Sequence, residues 1–378
     1  MCIRDSSPSD SALIRRHSLQ PHDATNFLGS GRHQPFSFDR QALAGAESLA
    51  GPHPKAPARW WQVTARVPVS GGPDPDEALD VDQLTAFYRD PVGAWFGATF
   101  GFTPRNQDPV LSPALPLAAD GLTDYVVGSR MLEATLSGQP RERIDSAVLL
   151  SGAVPPGTLG ATQLMNLWPT VQAMAARIGD FRASSEGAAR HAEIEVALPH
   201  SLVSGQFQLF DDRLLDHHFA TVKAKYLVPA WIRLVAATAG GLPVREFVLV
   251  TRDKEVHLAP PPQQVATRIL RQLVEMRRRG LREFLPLPLA TAWTYARAQH
   301  AHTSGSDRIT SNAYRREGRY SALWGDYLDL DWRALAALPA DPDDPITASE
   351  SRFKNLARWL MDPLLDAMAA DDQAGAWR

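Results

Sequence analysis

A short-period hydrophobic pattern marks the second half of the chain. From about residue 190, apolar and polar residues alternate in HAEIEVALP (191–199), and two further short runs follow, SGQFQLF (204–210) and RLLDHHFA (213–220). Alternation with a period of two is typical of β-strands, and the two aspartates between the last two runs predict a tight turn. We therefore expect a strand, a turn and a strand over residues 204–220.

Helical periodicity appears in the segments that follow, between further strand-like runs. VKAKYLVPAWIRLVAATAGG (222–241) has the pattern of an amphipathic helix closed by glycines, VREFVLVTR (244–252) that of an apolar strand, and EVHLAP (255–260) that of a short strand. QQVATRILRQLVEMRRRG (263–280) has helical spacing throughout, and its apolar side is expected to pack on strand 244–252. The order of strand, strand, helix, strand and helix predicts a mixed α/β core.

The first half of the chain has less regular patterning. We expect an extended arm with short turns over residues 1–58, continuing from a missing upstream region, because Ser, His, Pro and Gly are frequent there. A mainly helical region is expected over 59–185, in which Asp80 is a candidate helix cap and Pro91 breaks or restarts a helix. An α/β domain with a C-terminal helix is expected over 186–378.

Composition narrows the functional classes. The chain has 378 residues, 44% hydrophobic content and a formal net charge of −3, so any contact with nucleic acid must depend on a local basic face. A single cysteine, Cys2, excludes an internal disulfide framework and a Cys-based zinc site. No apolar run approaches the roughly 20 residues of a membrane helix. We expect a cytoplasmic protein without membrane contact.

The hairpin raises the question of metal-dependent nuclease chemistry. Nucleases of the restriction-endonuclease-like class place an acidic residue on one strand and an Asp/Glu-x-Lys triplet on the next, so that carboxylates hold Mg²⁺ and the lysine assists the reaction. Here the first strand offers Gln208 where an acid is needed, and the second offers Asp216 with His218 in the lysine position. We interpret these as degenerate nuclease-like positions, with no catalytic residue and no metal site.

Two alternatives stay open for the hairpin. An active nuclease would need Glu193, Glu195 or Glu246 to come close to Asp216, and the other alternative is an ordinary structural hairpin. The adjacent histidines at 217 and 218 point to opposite sides of a strand, so they cannot easily chelate one ion. No G-x-x-x-x-G-K-[ST] loop is present, which leaves no visible site for the phosphates of ATP.

Clusters of basic residues are candidates for DNA contact. A structural explanation competes with this role, because cations near a helix C-terminus are favoured by the helix dipole. The candidates are Arg277, Arg278, Arg279, Arg282, Arg315, Arg316, Arg319, Lys223 and Lys225.

Six segments in order resemble one family, the RecC (gamma) subunits of exodeoxyribonuclease V, in their C-terminal part. The segments are HSLQPHDATNF (17–27), LDVDQLTAFYRDPVGAWFGATFGF (79–102), DGLTDYVVGSRMLEATLSGQ (120–139), SGAVPPGTLG (151–160), GLREFLPLPLATAWTYA (280–296) and RFKNLARWLMDPLL (352–365). In the first segment, His22 replaces the phenylalanine of the family pattern.

The resemblance implies a subunit of an ATP-dependent helicase–nuclease that processes double-strand DNA ends for recombinational repair. It implies RecB-like beta and RecD-like alpha partners, contact with double- and single-stranded DNA, and no cofactor in this chain, with ATP and Mg²⁺ expected on the partners. It also implies a restriction-endonuclease-like (PD-(D/E)xK-like) α/β domain that lacks a complete active site. The expected role is to guide DNA and act as a scaffold. The alternatives are an active Mg²⁺-dependent nuclease and a protein-interaction module without DNA contact.

Overall fold

The computed structural model divides the chain into two compact units, Met1–Val63 and Thr64–Arg378. The described residues are 20–28, 37, 39–51, 78–102, 121–185, 189–319, 321, 323–324, 328 and 330–372.

The described part of the first unit is helical rather than extended. A short 3-10 turn, Ala24–Asn26, is followed by helix α1, Arg40–Ala50. The side chain of Asp39 caps α1 by accepting the N–H groups of Gln41 and Ala42. The prediction of an extended arm is therefore wrong for residues 40–50, because an Asp cap followed by an alanine-rich segment favours a helix.

The second unit contains the remaining helices and strands. Its strands are β1 (Ala78–Asp80), β2 (Arg190–Leu198), β3 (Ser201–Phe210), β4 (Arg213–His218), β5 (Glu246–Thr251) and β6 (Glu255–Leu258). Its helices are α2 (Val81–Arg89), α3 (Pro91–Phe100), α4 (Gly121–Leu136), α5 (Arg141–Leu150), α6 (Thr158–Ala183), α7 (Ala224–Ala239), α8 (Gln263–Gly280), α9 (Leu289–His300), α10 (Ser306–Arg319), α11 (Trp332–Ala336) and α12 (Arg352–Asp372).

The helix boundaries at Asp80 and Pro91 agree with the sequence. Asp80 caps α2 in a capping box, since its side chain accepts the N–H of Asp82 while the side chain of Gln83 accepts the N–H of Asp80. α2 ends before Asp90, and α3 begins at Pro91, where a proline is tolerated because the first helical N–H has no partner in the helix. Both predictions are confirmed.

The strands form a mixed six-stranded sheet within the described residues. β3 pairs along its length with the antiparallel β2, while its other edge pairs with the parallel β1 near one end and with the antiparallel β4 near the other. β5 then runs parallel to β4, and β6 returns antiparallel to β5. The predicted hairpin and the mixed α/β class are confirmed.

The position of strand β1 bears on the predicted domain boundary at residue 186. β1 precedes the helical region in sequence but joins the sheet that follows it, with Ala78 opposite Leu202 and Asp80 opposite Ser204. The described residues on both sides of 186 belong to the same compact unit. The structure therefore does not separate a helical region from the α/β domain.

Helices α4, α5 and α6 cover one face of the sheet. Their apolar side chains form a buried cluster with Val248 and Val250 of β5 and with Phe219, which follows β4. A methyl group placed on Gly128 of α4 would lie 2.0 Å from the ring of Phe219, so the glycine permits this close approach. α4 therefore lies directly over the end of β4.

Helix α7 is the centre of the other face. It is buried on nearly all sides, from Ala224 to Ala239, and it contacts β5, α2 and α8. α8 packs mainly on α7, and its buried residues include Leu270, Leu273 and Val274. The predicted packing of α8 on strand β5 is wrong, because the strongly apolar α7 occupies that position. Among the described helices, none combines the length and apolar character needed to cross a bilayer.

Candidate nucleic-acid interface

The candidate nuclease positions lie on β4, where Asp216 is held by its own neighbours. Its Oδ1 accepts the backbone N–H of His217 at 2.7 Å, and its Oδ2 lies 3.4 Å from Nε2 of His218. Burial acts to raise the pKa of Asp216, but the hydrogen bond and charge of His218, with the N–H of His217, outweigh it and hold this pKa below its usual range. The carboxylate is therefore a hydrogen-bond acceptor for adjacent residues.

The two histidines point to opposite faces of the sheet. The ring of His218 stacks on Tyr226 of α7, with ring centres 4.2 Å apart. Nε2 of His217 lies 2.9 Å from Oε1 of Glu133 on α4. The structure thus agrees with the prediction that these imidazoles cannot jointly chelate one ion, and His218 is packed against an aromatic ring rather than free like a catalytic lysine.

Gln208 lies away from Asp216. Leu209 of β3 pairs with Leu214 of β4, and residues directly opposite on paired strands share a face of the sheet. Since side chains alternate along a strand, Asp216 and His218 share the face of Leu214, whereas Gln208 takes the other face. The structure therefore does not bring Gln208 to Asp216, and the predicted juxtaposition of these two positions is wrong.

Of the other acidic candidates, Glu193 and Glu246 have different partners, and Glu195 lines a cleft together with Glu193. Oε1 of Glu193 accepts a hydrogen bond from Gln206 at 3.0 Å, and Oε2 of Glu246 lies 3.0 Å from Nδ1 of His257. In the described part of the chain, no group of three or more His, Cys, Asp or Glu residues is arranged to hold a metal ion. One carboxylate beside two divergent imidazoles does not fit Mg²⁺, which requires several oxygen ligands.

Two lysines flank this position at the start of α7. Lys223 and Lys225 are both exposed, and Nζ of Lys225 lies 4.9 Å from the centre of the Tyr226 ring. Cations are unfavourable at a helix N-terminus, where the helix dipole and free N–H groups favour anions. The helix dipole therefore does not explain these lysines, and they keep their candidacy for phosphate contact.

Arg279 belongs to an internal ion network. Its guanidinium contacts Glu283 at 2.7 Å, Asp341 at 2.9 Å and Asp344 at 3.1 Å. Arg352 of α12 contacts the same acids, with Glu283 at 2.6 Å and Asp344 at 3.0 Å. The network ties α8 to α12, so the guanidinium of Arg279 is not available to a phosphate, contrary to the prediction.

The neighbours of Arg279 differ in exposure. Arg278 is half-buried and donates to the backbone oxygen of His200 at 2.9 Å, and Arg277 is half-buried near Tyr88. Arg282 is exposed. Of this predicted cluster, Arg282 is therefore the member that is most accessible to a DNA backbone.

The second arginine cluster is more open. Arg315, Arg316 and Arg319 are exposed on the last turns of α10. Arg315 and Arg319 line a cleft of about 760 Å³, which we call the α10–α11 cleft. Its other lining residues are Ser311, Tyr314, Gly318, Trp324, Leu330, Asp331, Trp332 and Arg333.

Arg333 and Trp332 were not among the sequence candidates. They lie on the short helix α11, whose start at Asp331 is marked by an aspartate cap. The Asp-Trp-Arg sequence at 331–333 is the signal that could have drawn attention to them. Their position opposite α10 depends on chain packing that the sequence pattern does not reveal.

Comparison with known proteins identifies the family. A family model for the RecC C-terminal domain matches residues 76–300. The chain is 31% identical to the RecBCD enzyme subunit RecC of Mycolicibacterium smegmatis over 77% of this chain and 27% of that protein. It is 30% identical to the corresponding subunit of Mycobacterium tuberculosis strain H37Rv over 96% of this chain and 33% of that protein.

A more distant relative is also a RecC subunit. The RecBCD enzyme subunit RecC of Escherichia coli is 22% identical over 56% of this chain and 18% of that protein. The chain spans about a third or less of the length of these curated relatives. With the family model covering more than half of the chain, the protein belongs to the RecC family and contains its C-terminal domain.

Proposed function

We propose that the chain forms part of the RecC subunit of a RecBCD-type helicase–nuclease, and that it guides DNA without cutting it. Family membership supports the first part of this proposal. The second part rests on one observation: the carboxylate of Asp216 is engaged by His217 and His218, while Glu193 and Glu246 have other partners. A single engaged carboxylate cannot supply the ligand set of a Mg²⁺-dependent nuclease.

We further propose that the α/β part is a restriction-endonuclease-like domain without a complete active site. Its support is the β3–β4 hairpin, which is followed by α7 and by β5 parallel to β4. The ATP and Mg²⁺ of the complex would be bound by the RecB-like and RecD-like partners, since this sequence has no phosphate-binding loop of the P-loop type. A cytoplasmic location accords with a DNA substrate.

Exposed basic residues support the guiding role. Lys223 and Lys225 stand at the start of α7 beside the degenerate position, and Arg282 lies exposed after α8. Such residues would contact phosphates irrespective of base sequence and so hold a moving strand without selecting it.

A scaffolding role has support of its own. Apolar side chains are exposed at the junction of α5 and α6, with Leu150 87% exposed and Leu149, Leu159 and Met165 also accessible. Contiguous exposed apolar residues mark protein contacts. We propose that this patch faces a partner subunit.

Co-expression tests the assembly. The chain, tagged and co-expressed with RecB-like and RecD-like subunits, should co-purify with at least one of them, and Leu150→Asp should weaken that association. The control is Ile309→Asp, which adds the same charge at an exposed apolar residue of α10, outside the patch. If neither subunit is retained by the unmodified chain, the proposed scaffolding role is wrong for this region.

A further inference from the structure

We propose that the α10–α11 cleft binds single-stranded DNA, with arginines on its rims contacting phosphates and Trp332 stacking against a base. The inference deepens the proposed DNA-guiding function and depends on it. It assigns a binding site to a region that lies beyond residues 76–300, the part matched by the family model.

The first support is the arrangement of charge. Arg308, Arg315 and Arg319 follow one another at spacings of seven and four residues, which places them along one face of α10. Arg315 and Arg319 line the cleft from this side, and Arg333 lines it from α11. The cleft thus has cationic side chains on both sides.

Of the described residues that line the cleft, few oppose this positive charge. Among the described residues that line it, the one acidic residue is Asp331, whose side chain caps α11 by accepting the N–H of Ala334 at 2.7 Å. Among the described residues, neither Arg319 nor Arg333 has a carboxylate within salt-bridge distance. Their guanidinium groups therefore have hydrogen-bond donors to offer to an anionic strand.

The second support is a fixed aromatic wall. Trp332 is partly exposed in the cleft, while its ring is held by Phe353 at a centre distance of 5.3 Å and by Tyr314 at 6.2 Å. Tyr314 is buried and packs in turn on the buried Trp324 at a ring-centre distance of 5.9 Å, and the Tyr314 hydroxyl donates to the backbone oxygen of Leu330. A platform that is already ordered loses little entropy when a base stacks on it.

The volume of the α10–α11 cleft, and the difference in charge between its lining and that of a second cleft, agree with binding of a DNA strand. A volume of about 760 Å³ lies within the range of about 300–1,000 Å³ for small-molecule sites, so the cleft admits nucleotides. A smaller cleft of about 420 Å³ lies at the β1–β3 edge and is lined by Asp80, Asp82, Glu193, Glu195 and Arg233. Its acidic lining repels a phosphate backbone, so the two clefts differ in the charge of the ligand they admit.

Binding of a fluorescent oligo(dT) strand to the full chain tests the site. Arg315→Ala with Arg319→Ala should lower the salt dependence of log K by about 1.4, since each single-strand phosphate contact contributes about 0.7. Trp332→Ala should weaken binding by between about 5-fold and 150-fold, and Trp332→Phe should retain most of the affinity. The matched control is Arg143→Ala with Arg190→Ala, which removes two exposed charges elsewhere.

A second measurement locates the strand without relying on variants. Oligo(dT) carrying 5-iododeoxyuridine should cross-link on irradiation to the peptide that contains Trp332. The cleft assignment would be overturned if the Trp332→Ala and double-arginine variants bound oligo(dT) with wild-type affinity and the cross-links lay elsewhere. In that case the chain would still bind DNA, and the proposed function would stand. Preferential displacement of the strand by a poly-glutamate peptide of equal charge would also overturn the cleft assignment, in favour of an acidic protein segment. If the unmodified chain binds no DNA, both proposals fail.

Discussion

The ends of α8 and α10 carry arginine clusters that look alike in sequence and differ in the folded chain. Each cluster lies in the last turns of a helix, where the dipole favours cations. On α8, Arg279 is enclosed by carboxylates, whereas on α10 Arg315 and Arg319 are exposed and line a cleft.

The difference arises from residues far away in sequence. Asp341 and Asp344 follow Arg279 by more than sixty positions, and the fold brings them back to α8 together with Arg352 of α12. No comparable acidic segment among the described residues covers Arg319. A run of arginines therefore predicts a positively charged helix end, but the tertiary partners decide whether the charge stabilises the fold or stays open to a ligand.

The largest expected difference between the clusters is in stability. Arg279→Ala leaves Glu283, Asp341 and the buried Asp344 with one guanidinium fewer, and removing one partner from a buried ion pair costs about 3–5 kcal/mol. Arg315→Ala should change the free energy of unfolding by less than about 0.5 kcal/mol. Urea unfolding followed by tryptophan fluorescence measures both, and equal effects of the two substitutions would contradict the distinction.

The cost of Arg279→Ala should depend on pH. Burial acts to raise the pKa of Asp341, but the N–H of Asp343 and the charges of Arg352 and Arg279 hold it below its usual range. A depressed pKa means that the carboxylate stabilises the fold fully above its unfolded pKa of about 3.9, and that this contribution is lost as the pH falls through the lower, folded value.

The difference in unfolding free energy between the wild type and Arg279→Ala should therefore be constant from pH 7 to about pH 5 and shrink below about pH 4. Unfolding curves at several pH values provide the measurement. A difference that grows on acidification has the opposite sign and would show that the carboxylates do not carry the effect.

The change with the smallest effect is at Arg282, which is exposed, whereas Arg279 is held in the ion network. Arg282→Ala should leave stability within about 0.5 kcal/mol and reduce the salt slope of duplex DNA binding by about 0.9, the loss of one phosphate contact. Titrations at several salt concentrations check this, with Arg271→Ala, an exposed arginine on α8, as the control. An unchanged slope would assign Arg282 to protein contacts.

Much of the sheet region could be predicted from the sequence, because its periods are clear. Alternation in β2, β3 and β4 and the apolar run of β5 identified the strands and the hairpin. The three-residue strand β1 was missed, since three residues are too few to show a period. The packing of α8 was mispredicted because its apolar stripe shows which side is buried without naming the element that buries it.

The candidate site was predictable in part. The divergence of His217 and His218 follows from strand alternation. The same rule could have placed Gln208 correctly, because a two-residue turn pairs Phe210 with Arg213 and so puts Gln208 on the face opposite to Asp216. The α10–α11 cleft could not be predicted, since it joins segments whose contact is set by tertiary packing.

We propose that the chain guides DNA without cutting it, and a nuclease assay on the purified, unmodified chain tests directly whether the β4 position lacks catalysis. Linear duplex and single-stranded DNA would be incubated with the chain in Mg²⁺ or Mn²⁺, with EDTA and the Asp216→Ala variant as controls. We expect no metal-dependent cleavage above that of the variant, because Asp216 is engaged by its neighbours and the described residues contain no group of three or more His, Cys, Asp or Glu side chains that could hold a metal ion. Cleavage that EDTA and Asp216→Ala both abolish would contradict this expectation and make Asp216 a catalytic residue.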